Sequence, residues 1–81
     1  MRKVIADDLF GNNLQNIRLA KGLTQEETVA KLQVLGSQIA RGTYSHIEMG
    51  RGNIYISDLV GLQQIFNVDF SAFFEGVPTA R

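Results

Sequence analysis

The stretch LQVLGSQIARGTYSHIEMG, residues 32–50, decides how this chain is read. Its second half, residues 41–49, has the pattern of a short helix closed by Gly50. Tyr44 and Ile47, three apart, fall on one face and are suited to pack inward. Gly42, Ser45, His46 and Met49, spaced by three and four, fall on the other face, with Arg41 at its shoulder. A helix that is apolar behind and small and polar in front has a surface made to approach something. The first half of the stretch, with Gly36 as a helix stop, is a long connection leading into it.

Working outward, TQEETVAKLQVLG (residues 24–36) opens on Thr24 and Glu27, a Thr-x-x-Glu capping box, and ends at Gly36. DLFGNNLQNIRLAKG (residues 8–22) spaces Phe10, Leu14 and Ile17 by four and three and ends at Gly22. SDLVGLQQIFN (residues 57–67) carries Leu59, Leu62 and Phe66 on one side, with Ser57 as its expected cap. DFSAFF (residues 69–74), capped by Asp69, brings Phe70, Phe73 and Phe74 to the core or to a partner. NIYIS (residues 53–57) is the one β-like piece. It reads as an extended linker, since a lone strand has nothing to pair with. The expectation is an all-α, compact five-helix bundle forming a single domain over residues 1–81.

Composition sets the outer bounds. Eighty-one residues that are 44% hydrophobic and 20% charged suit one small globular domain. Cysteine is absent, which excludes disulfides and cysteine-based zinc sites and suits a reducing compartment. No apolar run approaches the roughly 20 residues that cross a bilayer. MRKVIADD at the start has too short an apolar patch for a secretory signal, so a cytoplasmic protein with no membrane association is expected. Eight basic residues balance eight acidic ones. Six of the acids (Asp7, Asp8, Glu26, Glu27, Asp58 and Asp69) fall at expected helix starts, where the helix dipole favours them.

Two helices joined by a connection, the second with a polar outward face, suggest a helix-turn-helix. FGNNLQNIRLAKGLTQEE, followed by YSHIEMGRGN and LQQIFNVDFSAFF, resembles the Xre-type, phage-repressor-like family of DNA-binding domains over about residues 10–75. Gly22, Leu23, Thr24 and Gln25 with Glu26 and Glu27 match that family's usual opening of its second helix. Ile47, Glu48 and Gly50 match the close of its third, and residues 68–74 its last. The resemblance implies that helix 3 lies in the DNA major groove while helix 2 crosses the backbone. Arg41, Gly42, Thr43, Ser45 and His46 are then candidates for base contacts. Gln25, Lys21, Arg51 and Asn53 are candidates for phosphate contacts. Arg41 can read guanine, hold a phosphate or stay solvated. His46 can meet a base or remain on the surface. Arg18 and Glu48 occupy positions that form a structural ion pair in the family.

The chain also departs from that family. Gln33 stands where a glycine usually follows the leucine at position 32. The segment from Thr24 to Glu48 is about five residues longer, somewhat over one helical turn. The simplest account extends helix 2 through Val34 and Leu35 to Gly36 and tucks Ile39 into the core. Ala40 replaces the usual Ser or Thr cap of helix 3, and Val29 and Thr28 replace an alanine and a leucine.

Catalysis finds no footing. A single histidine without cysteine or a carboxylate cluster makes no metal site. Ser45, His46 and Glu48 cannot form a proton relay, because adjacent helical residues point apart. The expected function is sequence-specific binding of double-stranded DNA by a transcriptional regulator, repressor-like and homodimeric, without cofactor or metal. The alternative is a protein-interaction module that keeps the fold without DNA affinity, a reading that the zero net charge favours.

Overall fold

Asp7 opens the first helix, its carboxylate accepting from the Phe10 N–H at 2.8 Å and satisfying one of the donors a helix start leaves unpaired. The computed structural model describes residues 3–5 and 7–78. In chain order it contains β1 (Lys3–Ile5), α1 (Asp8–Ala20), α2 (Gln25–Val34), α3 (Arg41–Glu48), β2 (Asn53–Tyr55), α4 (Ile56–Phe66) and a 3-10 helix (Phe70–Phe74).

The capping box of α2 is closed from both sides. The Glu27 N–H donates to the Thr24 hydroxyl at 3.0 Å, and the Thr24 N–H donates to the Glu27 carboxylate at 2.9 Å. The bond from the Thr24 backbone holds the Glu27 carboxyl below the usual carboxylate range. At its far end α2 runs past Gln33 to Val34, with Leu35 as cap and Gly36 at φ +104°. The Ser37 N–H returns to the Leu32 carbonyl (3.1 Å) and the Gly36 N–H to that of Gln33 (3.0 Å), a Schellman closure. The long connection is then pinned from within. Gln33 donates to the Ile39 carbonyl at 3.2 Å, and the Ile39 N–H to the Ser37 hydroxyl at 3.1 Å, while the Ile39 side chain is buried. The residue that replaces the family glycine thus ties down the segment that follows it.

Three sequence expectations need correcting. The piece around residues 53–55 is a strand, paired antiparallel with Lys3–Ile5 in the register Lys3↔Tyr55, Val4↔Ile54, Ile5↔Asn53. Its partner lies about fifty residues away in sequence, so no local pattern announced it, although Ile54 is buried between exposed Asn53 and Tyr55 as a half-buried strand requires. Apart from this short two-stranded ladder the fold is all-α. Ser57 does not cap α4. The helix begins at Ile56, directly from β2, with Tyr55 in the cap position two residues before the expected one. The last segment is a 3-10 helix, leaving four α-helices and not five. Its N-terminus is held by Asp69, which accepts from the Ser71 N–H at 3.1 Å, and by an i→i+3 bond from Ala72 to Asp69.

The core gathers one to three residues from each element from α1 onward. Phe10 and Leu14 of α1 meet Val29 and Leu32 of α2, Tyr44 and Ile47 of α3, Ile54 of β2, Leu59, Leu62 and Phe66 of α4, and Phe73. Each fully buried large side chain contributes on the order of 2 kcal/mol of hydrophobic stabilisation. The 3-10 helix docks on α1 through Phe73 and through Asn13, whose carboxamide donates to the Phe73 and Glu75 carbonyls at 3.0 and 2.9 Å. Phe70 and Phe74 stay about two-fifths exposed, Phe74 leaning on the Phe10 ring at 5.7 Å. On its other side α1 packs on α3. There Gly11 permits a backbone approach that any larger residue forbids, since a Cβ on it would lie 2.5 Å from the Glu48 carbonyl oxygen.

Candidate nucleic-acid interface

The surface of interest begins with what stays inside. Tyr44 and Ile47, three residues apart on α3, are buried at 0% and 1% exposure, which fixes the rotation of the helix about its axis. Arg41, Gly42, Thr43, His46 and Met49 consequently face outward, and Ser45 is half-buried at the edge. A Cβ built on Gly42 would meet nothing within 4 Å. The front of α3 is therefore shallow along its first turn, and Arg41 supplies the one long side chain there. Ala40 precedes it without a side-chain cap, so the first N–H groups of α3 also open onto this surface.

Glu48, on the same helix, points the other way and anchors it. Its carboxylate takes two bonds from the Arg18 guanidinium of α1, from Nε at 2.7 Å and from an Nη at 3.0 Å. A second Arg18 Nη donates to the Leu23 carbonyl at 2.8 Å, locking the turn between α1 and α2. Burial by itself would raise the Glu48 carboxyl, but the bonds it accepts, that from Arg18 foremost, outweigh burial and hold it below the usual carboxylate range. The same bond raises the Arg18 guanidinium above its ordinary value. The Tyr44 hydroxyl lies beside the pair, buried without a well-formed hydrogen bond, and burial pushes its pKa up.

Gln25 belongs to both surfaces. Half-buried in the first position of α2, it donates its Nε2 hydrogen to Glu48 at 3.0 Å. This bond links the start of α2 to the end of α3 and fixes where the Gln25 side chain sits. Lys21 is exposed in the cap position that closes α1. Arg51 is exposed just past α3, its backbone N–H closing that helix on the His46 carbonyl at 2.8 Å. Asn53 is exposed on β2. With Thr43, Ser37, Gln38 and buried Asp58 it lines an open cleft of about 660 Å³ between the long connection and the start of α4.

One neighbour escaped the sequence reading. Glu26, exposed in the first turn of α2, brings its carboxylate to 3.7 Å from an Arg41 Nη. The two residues are fifteen apart with the elongated connection between them (41 − 26 = 15), so no helical spacing signalled their meeting. Among the described residues no group of three or more His, Cys, Asp or Glu side chains is placed to hold a metal ion. No helix among them is long and apolar enough to cross a membrane.

Comparison with known proteins agrees with this architecture. A family model described as helix-turn-helix matches residues 14–73. The fold is similar to that in the crystal structure of the restriction-modification controller protein C.AhdI from Aeromonas hydrophila, with a TM-score of 0.71 and 24% sequence identity. The similarity covers 83% of this chain and 94% of that one. No curated protein sequence matches the chain.

Proposed function

The chain belongs to the helix-turn-helix family of DNA-binding transcriptional regulators, and on that premise we propose that it binds duplex DNA sequence-specifically with α3 in the major groove. The observation that carries this reading is the outward face of α3. It combines an exposed arginine with the small residues Gly42 and Thr43 along its first turn and His46 one turn on, over a fully buried Tyr44–Ile47 back. Small residues let a helix seat deeply, and an arginine at its start suits the bidentate pairing with guanine O6 and N7. Thr43, Ser45 and His46 are assigned to neighbouring base edges. Lys21 and Gln25 precede α3, at the close of α1 and the start of α2, and Arg51 and Asn53 follow it, in the turn past α3 and on β2; these four are assigned to phosphates. One such module reads a short half-site, so the protein acts as a homodimer on a two-fold-related operator.

Selection of bound sequences from a random duplex pool tests binding and specificity together. An enriched, two-fold-related motif is the expected result. Zero net charge favours a different class, a protein-interaction module that retains the fold. That reading requires duplex binding to be absent at low salt, where counterion release would otherwise make it strongest.

A further inference from the structure

We propose that Glu26 is a specificity determinant, a carboxylate that steers Arg41 away from phosphate and towards a base edge. The inference rests on the DNA-binding reading and adds a role to a residue outside the candidate contact set. Three observations carry it.

The first is position. Glu26 Oε2 lies 3.7 Å from an Nη of Arg41, joining the first turn of α2 to the first turn of α3. These are the two helix starts that the DNA-binding reading turns towards the duplex. The second is how slight its structural task is: it gains only the favourable dipole of the first turn of α2 and makes none of that helix's capping bonds. The side chain of Glu26 is 80% exposed, and the hydrogen bonds that cap α2 are made by its neighbours Thr24 and Glu27. The third is an electrostatic imbalance at Arg41. A cation in the first position of a helix faces the positive end of the dipole, and Ala40 brings no capping oxygen to offset it. Glu26 supplies the compensating charge from across the gap.

The consequence follows from the different charges of the two DNA targets. A phosphate approaching Arg41 carries a negative charge and is repelled by the Glu26 carboxylate that already accompanies the guanidinium. A guanine edge offers neutral acceptors and meets no such penalty. The arginine also has five N–H donors in a rigid fork. With one Nη turned to Glu26, the others remain for O6 and N7. An exposed ion pair of this kind adds little to folding. Its effect lies in what it disfavours, as specificity often requires.

The test compares Glu26→Gln with the unmodified chain on the selected operator and on a scrambled duplex, each across a salt series. Scrambled-duplex affinity is expected to rise about threefold at low salt, from removal of a charge near the phosphates. Operator affinity should rise less, so the ratio of operator to scrambled binding falls, most of all for duplexes changed at the base pair Arg41 reads. On scrambled DNA the freed arginine takes a phosphate. There the slope of log affinity against log salt steepens by about 0.9 per protomer. In an Arg41→Ala background the same Glu26→Gln change should leave base-pair preference and slope alone, which separates this role from a general charge effect. An unchanged ratio and slope, or the same shifts with Arg41 absent, overturns the proposal while leaving DNA binding intact. Absence of salt-dependent binding by the unmodified chain overturns the DNA-binding reading itself, and this proposal with it.

Discussion

Arg18 and Glu48, thirty residues apart in sequence, meet in a two-bonded ion pair whose side chains are only 8% and 2% exposed. The pair crosses from α1 to the inner side of α3, so the helix that faces outward through Arg41 is held inward through Glu48. Removing one partner leaves a charge stranded out of water, which costs about 3 kcal/mol or more. Glu48→Ala is therefore expected to lower the melting temperature by more than about 10 °C in a domain of this size. Glu26→Ala, at an exposed position, should stay within about 0.5 kcal/mol of the parent. Equal melting temperatures for the two variants would refute the assignment of Glu48 as an anchor.

The same pair sets an acid limit. The folded Glu48 carboxyl lies below its ordinary value, so its contribution is fully present above an unfolded pKa of about 4.3 and is lost as pH falls through the folded value. Denaturant midpoints measured from pH 7 down to pH 2 should show the parent falling towards Glu48→Gln below about pH 4.3. A constant gap between the two curves across that range would count against this linkage.

Tyr44 offers the opposite case. Its hydroxyl is buried beside the Glu48 carboxylate without a well-formed hydrogen bond, so Tyr44→Phe removes a desolvated polar group and gives up only a weak contact. Stability should be unchanged or higher by up to about 1 kcal/mol. A loss of more than that in chemical denaturation would show that the hydroxyl supports the Arg18–Glu48 pair directly.

Gly11 tests the closeness of α1 and α3. Alanine is the better helix former, yet here its methyl group would collide with the Glu48 and Ile47 carbonyls. Gly11→Ala should destabilise the fold by about 1–3 kcal/mol, as overpacking of a rigid contact does. Gly42→Ala, where the added methyl meets open space, should be neutral or stabilising in the free protein. If both variants melt alike, the helices are not in contact at Gly11.

Salt dependence separates two roles for arginine. If Arg41 reads a base, Lys21 and Arg51 remain to neutralise phosphates, two per protomer and four per dimer. The slope of log operator affinity against log salt should then be near −4, rather than near −5 if Arg41 also sits on phosphate. Arg51→Ala should weaken all sequences alike and make that slope shallower. Arg41→Ala should relax preference at one base pair per half-site by roughly 1–3 kcal/mol. Uniform loss from both variants, with preference intact, assigns Arg41 to the backbone.

The four α-helices were legible from local signals, although the start of α4 was not. Thr24 with Glu27 opens α2, Gly36 ends it, and the Tyr44–Ile47 spacing orients α3. These are signals within a few residues of the feature they specify. What the sequence concealed depends on distant partners. Ile54 became a strand residue only because Val4 lies beside it, and Asn13 acquired its role from the carbonyls of Phe73 and Glu75. The role of Gly11 comes from α3 lying against it, which nothing in its local sequence announces. On the candidate interface, residue exposure followed from helix periodicity. The Glu26–Arg41 contact did not, because it depends on where the long connection delivers α3.

The β1–β2 ladder has a kinetic consequence. Pairing Lys3 with Tyr55 joins positions 52 residues apart (55 − 3 = 52), whereas the helices form from contacts within a few residues. Closing so large a loop carries a chain-entropy cost that three short pairings repay poorly on their own. The helices should therefore associate first, with the ladder zipping last onto an assembled α4. In native-state hydrogen exchange the β2 amides should open by local events well below the energy of global unfolding, while those of Leu62 and Phe66 exchange only when the whole domain unfolds. Substitutions in the ladder should accelerate unfolding and leave the refolding rate nearly unchanged.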